Sequence, residues 1–194
     1  MSEKIKLPRH WPYLFADAQF SESGTHRYQL WRSWPERRYD DRNWVAFIGL
    51  NPSTADEHTD DRTVAGCCRR AIRWGHSGIW MLNLFGFVGT DPRTMLAADD
   101  PTGDPHCLDA IREVANLSVV TRVVLCWGEH GTHRGRAAQV LEMLEANEAV
   151  RDKLCYLKVN ESSGQPGHPL YVAGSVEPKP WIGRNRIEVS NESE

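Results

Sequence analysis

Four short apolar runs recur along the chain, and each is too short for a helix but suited to a buried strand. They cover residues 44–49, 79–85, 119–127 and 154–159. The first run is rich in β-branched and aromatic residues and ends at the turn-forming sequence Gly49-Leu50-Asn51-Pro52. Helical patterns are predicted between and after these runs, over residues 63–74, 108–117 and 134–150. Strands that alternate with helices favour an α/β fold in which helices cover both faces of a parallel sheet.

The length and the remaining segments predict one α/β domain over residues 1–194. Residues 1–24 carry aromatic side chains without a clear period, which indicates an arm or a short helix packed on the body. Residues 28–31 alternate weakly and are predicted as an edge strand. Residues 90–105 form a long loop of the kind that often serves as a lid or binding segment. Residues 187–194 are predicted to be a flexible, acidic tail.

Composition, charge and cysteine content limit the cellular compartment and the binding partners that we expect for this protein. No apolar run approaches the ~20 residues of a membrane span, and the polar start lacks the pattern of a secretory signal. The five cysteines are odd in number and contain no C-x-x-C pair, which favours reduced thiols in a cytoplasm. A net charge of −3 argues against non-specific, salt-driven binding to nucleic acid, but it does not exclude binding of nucleic acid to a small basic patch.

Polar or turn-forming residues follow each predicted strand. Asn51 comes after the first strand, Asn83 lies in the second, Trp127-Gly128 ends the third, and His168 lies beyond the fourth. A parallel sheet brings the carboxyl ends of its strands to one edge, where ligands usually bind. We therefore expect these residues, which are far apart along the chain, to share one pocket.

The order of these motifs carries a resemblance to known families. The chain reads Gly-Leu-Asn-Pro-Ser-Thr-Ala-Asp, Asp-Arg-Thr, Asn-Leu-Phe, Trp-Gly and Gly-His-Pro-Leu-Tyr over about residues 27–181. It resembles a bacterial and phage family described as a domain of unknown function. That family more loosely resembles the uracil-DNA glycosylase superfamily, whose motifs have the same order and approximate spacing. The resemblance implies a three-layer α/β/α sandwich with a four-stranded parallel sheet.

The resemblance implies hydrolysis of the N-glycosidic bond of a damaged or modified, uracil-like base in DNA, with single-stranded DNA as one option. In this interpretation Asn51 positions water and Asn83 reads the base edge, because an amide offers a donor and an acceptor together. His168 stabilises the departing base. The other residues implied at the base are Leu50, Pro52 and Phe85, and those implied at the nucleic acid are Ser53, Thr54, Leu170 and Tyr171.

Two departures from the glycosylase motifs leave alternatives open. Ser53 stands where the superfamily has Gly, and Leu170 stands where it has a Ser that contacts phosphate. One alternative is a module of the same fold that binds a modified base or nucleotide without cleaving it. Another is an enzyme for free nucleosides, which the acidic balance favours. Asn83 could also be a buried amide satisfied by backbone, and His168 a structural loop histidine.

Rival sites are only weakly indicated. His130 and His133 form an H-x-x-H pair without a helical Glu motif, so no metal site is predicted. Cys126 with His168 could form a thiol nucleophile, but a cysteine inside an apolar strand is by default a small buried side chain. The sequence contains no P-loop, G-x-G-x-x-G or G-x-S-x-G motif, so no cofactor is predicted.

Overall fold

The computed structural model of the chain describes residues 13–34 and 43–182. Its strands are β1 (Phe15–Phe20), β2 (Arg27–Ser33), β3 (Trp44–Gly49), β4 (Gly78–Asn83), β5 (Val120–Leu125), β6 (Leu154–Tyr156) and β7 (Lys179–Pro180). Its α-helices are α1 (Arg62–Arg73), α2 (Pro92–Leu96), α3 (His106–Asn116), α4 (Arg136–Glu145) and α5 (Glu148–Arg151). Two 3₁₀ segments cover Glu129–Gly135 and Pro169–Tyr171.

The strands form one mixed sheet in the order β1-β2-β4-β3-β5-β6-β7. Strands β4, β3, β5 and β6 are parallel to one another. Strands β1 and β2 extend the sheet beyond β4 as an antiparallel hairpin, and β7 pairs antiparallel with β6. The fold is therefore mixed α/β, with a seven-stranded sheet among the described residues.

The prediction of a four-stranded parallel sheet is wrong, because three antiparallel strands lie outside the parallel ones. Residues 28–31 belong to β2, which is not an edge strand because β1 covers its outer side. The described part of the predicted N-terminal arm contains β1, a strand rather than a helix, while residues 1–12 lie outside the described residues. The predicted tail, residues 187–194, also lies outside them.

Strand β3 is the centre of the core, and its side chains alternate between the two faces of the sheet. Ala46 and Ile48 are buried against side chains of α3 and α4. Val45 and Phe47 are buried against side chains of α1. Helices therefore cover both faces, which explains why the strand is apolar along its whole length.

Helix α1 agrees with its prediction to within a residue. Asp61 is its N-cap, and the Asp61 side chain accepts a hydrogen bond from the Val64 N–H at 2.8 Å. Gly75 follows the helix with a φ of +81°, a conformation that favours glycine. The cap places the Asp61 carboxylate at the same edge of the sheet as the end of β3.

The long helix predicted over residues 134–150 is wrong. Arg134 and Gly135 have positive φ values of 50° and 69°, so the 3₁₀ segment and α4 are separate elements. Asn147 then caps a new short helix, α5. The predicted loop 90–105 contains α2, whose N-cap is Asp91. Within the described ranges, no helix has the length and apolar character needed to cross a membrane.

Candidate functional site

A cavity of about 870 Å³ opens at the carboxyl ends of the parallel strands. Three of the residues that form it, Gly49, Asn83 and Cys126, lie at or next to the ends of β3, β4 and β5. Of the predicted site residues, eight line this cavity: Asn51, His168, Asn83, Leu50, Ser53, Thr54, Leu170 and Tyr171. The chain thus brings residues more than a hundred positions apart to one site.

His168 lines the cavity as a neutral donor. Its Nδ1 accepts a hydrogen bond from the Leu170 N–H at 3.4 Å, so the ring proton belongs on Nε2. Burial lowers the pKa of His168 below its ordinary value, and the charge of Asp61 opposes that shift without reversing it. Arg70 of α1 fixes the loop by donating to the carbonyl oxygens of Pro169 and Val172.

Asn83 lies on the floor of the cavity and is 4 % exposed. Its Oδ1 accepts a hydrogen bond from Nη2 of Arg27 at 3.1 Å. Arg27, from the start of β2, also lines the cavity and donates to the carbonyl oxygen of Ala55 at 2.9 Å. The partner of the buried amide is thus an arginine side chain rather than the neighbouring backbone.

Asn51 braces the turn that follows β3. Its Nδ2 donates to the carbonyl oxygens of Gly89 at 2.8 Å, Pro52 at 3.0 Å and, more weakly, Phe87 at 3.4 Å. Within the described residues its Oδ1 accepts no hydrogen bond. The amide therefore holds two loops together with its donor end and has an acceptor available for a ligand or water.

Carboxylates line the side of the cavity next to α1. Asp60 is held in place, because Arg32 and the Tyr13 hydroxyl donate to its two oxygens. Asp61 uses Oδ1 as the cap of α1, and its Oδ2 accepts no hydrogen bond from the described part of the chain. Asp61 is thus the better placed of the two to act on a bound molecule.

The mouth of the cavity combines apolar, polar and basic side chains. Tyr171 is 87 % exposed and Leu170 42 % exposed, and the ring centroids of Tyr171 and His168 are 5.7 Å apart. The cavity is also lined by polar and basic side chains that include Ser53, Thr54, Arg62 and Lys158, and by the acidic side chains of Asp60, Asp61 and Glu129. The mouth therefore offers stacking surface next to charges of both signs.

Phe85 and Pro52 do not line the cavity. The predicted base-stacking role of Phe85 is wrong, because its side chain is fully buried in the core beside His133. The chain turns after β4, and the Phe85 N–H donates to the Leu50 carbonyl oxygen. Pro52 supports the turn after β3 through its carbonyl oxygen, which accepts hydrogen bonds from Nδ2 of Asn51 and from the Gly89 N–H.

Two residues of this site were missed by the sequence reasoning. Arg27 begins a weakly patterned strand, and no local signal separates a buried arginine from an exposed one there. Asp61 directly precedes helix α1, where an aspartate is typical of a helix cap, so no local signal marks it as part of a cavity. His130 lines the cavity, whereas His133 packs against Phe85 instead. In the described ranges no three metal-binding side chains lie together.

Comparison with known proteins gives a family but no characterised relative. No curated protein and no solved structure shows significant similarity to this chain. Residues 27–170, which include most of the cavity and the whole parallel part of the sheet, match the model of a family described as "Protein of unknown function (DUF1643)". Because that match spans well over half of the sequence, the chain belongs to this family.

Proposed function

We propose that this protein is a monofunctional glycosylase that hydrolyses the N-glycosidic bond of a modified base in DNA, with a site similar to that of the uracil-DNA glycosylase superfamily. The observation that carries the proposal is the pairing of Asn83 and a neutral His168 in one cavity. The order of the motifs along the chain supports it. The five free, buried cysteines favour a reducing compartment such as the cytoplasm.

His168 would stabilise the base as it leaves. When the C1′–N bond breaks, the bonding electrons go to the base, and negative charge spreads over its ring nitrogen and oxygen atoms. A neutral imidazole whose Nε2–H points at that charge stabilises it without first losing a proton. The backbone N–H of Leu170 favours this tautomer, because it needs Nδ1 as an acceptor.

The oxygen of a water molecule would form the new bond to C1′. Asn51 cannot take up a proton, but its Oδ1 can orient the attacking water. Asp61 has a free carboxylate oxygen in the same cavity and suits the role of proton acceptor. The water oxygen then bonds to C1′, its proton passes to Asp61, and the base departs with the electrons of the broken bond.

The mouth of the cavity supports a polymeric substrate. A base inside a duplex cannot reach such a site, so it must be extruded or taken from a single strand. Leu170 and Tyr171 project at the mouth, where an apolar wedge or a stacking ring would hold neighbouring bases apart. Arg62 and Lys158 would meet the phosphates, and Ser53 and Thr54 could donate to them.

A second candidate function is a module that binds a modified base without cleaving it. The observation that favours it is the Nδ2 group of Asn51, which is fully engaged with backbone carbonyl oxygens as a structural asparagine would be. An enzyme for free nucleosides is a third candidate, favoured by the carboxylates of Asp60, Asp61 and Glu129 around the cavity, which would repel a phosphate backbone.

Labelled single- and double-stranded oligonucleotides separate these candidates. Each carries uracil, hypoxanthine, xanthine or 5-hydroxymethyluracil, and alkali treatment after incubation breaks the strand at any abasic site. Strand breaks are expected with the wild-type chain. His168→Ala should slow them by about 10²–10³-fold, the cost of losing one donor to a developing charge. Asp61→Asn should slow them by about 10²-fold or more while it preserves the helix cap.

His106→Ala is the matched control, because His106 is exposed at the start of α3 and does not line the cavity. It should cleave as the wild type does. Equal cleavage by wild type and His168→Ala would overturn the glycosylase proposal. Binding without strand breaks would favour the module, and turnover confined to free nucleosides would favour the third candidate.

A further inference from the structure

Arg27 is a buried cation at the floor of the cavity without a carboxylate partner. It is 2 % exposed, and no carboxylate of the described residues lies within ion-pair distance of it. Of the other buried arginines, Arg32 and Arg136 pair with Asp60 and Asp104, while Arg70 donates to four backbone carbonyl oxygens. Burying an unpaired charge is costly, so such a residue calls for a specific reason.

The guanidinium has donors to spare. Of its five N–H groups, one donates to the Ala55 carbonyl oxygen and one to Oδ1 of Asn83. Its Nε is buried and has no hydrogen-bond partner among the described residues. Burial lowers the pKa of Arg27 to about 10, the charge of Asp61 opposes that shift from beyond ion-pair distance, and the group stays charged at neutral pH.

Arg27 also decides which way the amide of Asn83 faces. A guanidinium has donors only, so the atom of Asn83 that it contacts must be the oxygen. The Nδ2 group of Asn83 therefore faces Gly49. The two lie so close that a Cβ atom added to Gly49 would be only 2.9 Å from Nδ2. Gly49 and Asn83 both line the cavity, and Nδ2 makes no hydrogen bond within the described ranges.

The floor of the cavity is consequently rich in donors, with the charge of Arg27 directly behind Asn83. Asn83 presents N–H groups, while its oxygen is already engaged with a cation that draws electron density away from it. Such a floor suits a base edge made of acceptors. It disfavours an edge that needs a protein acceptor, because two donors would then face each other.

Base edges differ in just this property. A 6-oxopurine presents O6 and N7, which are both acceptors, along its Hoogsteen edge. Adenine presents an acceptor and an amino donor there. Uracil presents O4 beside an N–H group, so it needs a donor and an acceptor together. A cavity of about 870 Å³ has room for the larger, two-ring base.

We propose that Arg27, through Asn83, makes this cavity specific for 6-oxopurines such as hypoxanthine, read along the O6/N7 edge, rather than for uracil. The proposal rests on the proposed function only in placing the base in the same cavity. Asn83 is the reader, and Arg27 is a positioning residue that holds it in the donor orientation and supplies positive charge behind it.

Binding measurements test the proposal independently of cleavage. Fluorescein-labelled single-stranded oligonucleotides carry one hypoxanthine, 7-deazahypoxanthine, adenine or uracil, and anisotropy gives the affinity of the His168→Ala chain, which retains Arg27 and Asn83. Hypoxanthine should bind at least about tenfold more tightly than each of the others, as expected for one mispaired polar contact. Absence of this preference, including equal or undetectable binding of all four, would overturn the proposal.

Substitutions then assign the preference to the two residues. Asn83→Asp has nearly the same shape, loses the donor and faces O6 with a carboxylate. Arg27→Lys keeps the charge but replaces the two Nη atoms that contact the Ala55 oxygen and Asn83 with a single ammonium nitrogen, which loses the fixed fork geometry. Each should lower the ratio of hypoxanthine to uracil affinity by at least about tenfold. Arg136→Lys changes an equally buried arginine outside the cavity and should leave the ratio unchanged.

These outcomes keep the two proposals apart. If both cavity variants retain the preference, Arg27 does not set the specificity and the inference fails, whatever the cleavage assay shows. If no strand breaks occur but hypoxanthine is still preferred, the glycosylase proposal fails and the assignment of the base edge stands.

Discussion

Single neighbours determine the protonation or orientation of the polar side chains in this cavity. The Leu170 N–H selects the tautomer of His168, and Arg27 selects the orientation of Asn83. Three carbonyl oxygens, in contrast, hold the donor end of Asn51. The orientation of Asn83 depends on one side-chain hydrogen bond, so a substitution of Arg27 can change it.

A buried histidine outside the cavity makes the stability of the protein depend on pH. His76 is 6 % exposed, and its Nε2 has no hydrogen-bond partner among the described residues. Burial, with a smaller contribution from the charge of Arg122, lowers the pKa of His76 to about 4. The ordinary value in an unfolded chain is about 6.5. The unfolded state therefore binds more protons than the folded state between these two values.

Stability should consequently fall as the pH drops from about 6.5 to about 4, and His76 should account for about 2 to 3 kcal/mol of that fall. Urea denaturation of the wild type and of His76→Gln at pH 7 and pH 4.5 measures it. The wild type should lose more stability than the variant between the two pH values. An identical loss in both chains would show that His76 does not titrate in this range.

Strand β4 depends on a glycine for its close contact with β3. Gly78 pairs with Trp44 across the parallel ladder, and an added Cβ would lie 2.6–2.7 Å from three atoms of the Trp44 ring. The same ring packs on Trp80 with centroids 4.3 Å apart, so it has little freedom to move away. The first residue of β4 thus fixes how closely the two strands approach.

Gly78→Ala should therefore destabilise the fold by about 1–3 kcal/mol, the usual cost of overpacking. Gly66→Ala is the matched control in helix α1, where an added Cβ meets its nearest atoms at 3.8 Å. That change should stabilise the chain by about 0.5–1 kcal/mol, because alanine is the better helix former. Thermal denaturation of both variants gives the comparison, and the same sign of change in both would contradict it.

The molecule as a whole shields its thiols. Cys67 and Cys68 are buried residues of α1 and share one core cluster with Cys126 and Cys155, and Cys107 is buried on α3. Burial raises the pKa of Cys68, Cys107, Cys126 and Cys155 to about 12 and that of Cys67 well above its ordinary value. Only the thiolate reacts readily, so access and ionisation both disfavour reaction in the folded state.

An aromatic disulfide reagent should therefore label the thiols of the native protein only as fast as the protein unfolds. In denaturant it should label all five thiols rapidly. Ser23→Cys supplies an exposed thiol as the control and should react at once. Rapid labelling of a single native thiol in the wild type would show that one side of the core opens without global unfolding.

Much of the architecture and part of the site could be predicted from local patterns. The four apolar runs correspond to β3–β6, and helix α1 lies within a residue of its predicted range. Asn51, Asn83 and His168 meet at one cavity because the carboxyl ends of parallel strands share an edge. The motifs over about residues 27–181 likewise indicated a family of unknown function, and the family match over residues 27–170 confirms that part of the resemblance.

The sequence by itself determined the apolar strands, the caps and the residues at the strand ends, because each of these is set within a few neighbouring positions. Only the tertiary structure decided that β1 and β2 extend the sheet, that Phe85 turns into the core, and that Arg27 lies unpaired behind Asn83. Strand pairing, and the burial of a charge between distant segments, depend on contacts that no local pattern records. Arg27 and Asp61, which support Asn83 and His168 in the proposed chemistry, acquire their roles through such contacts.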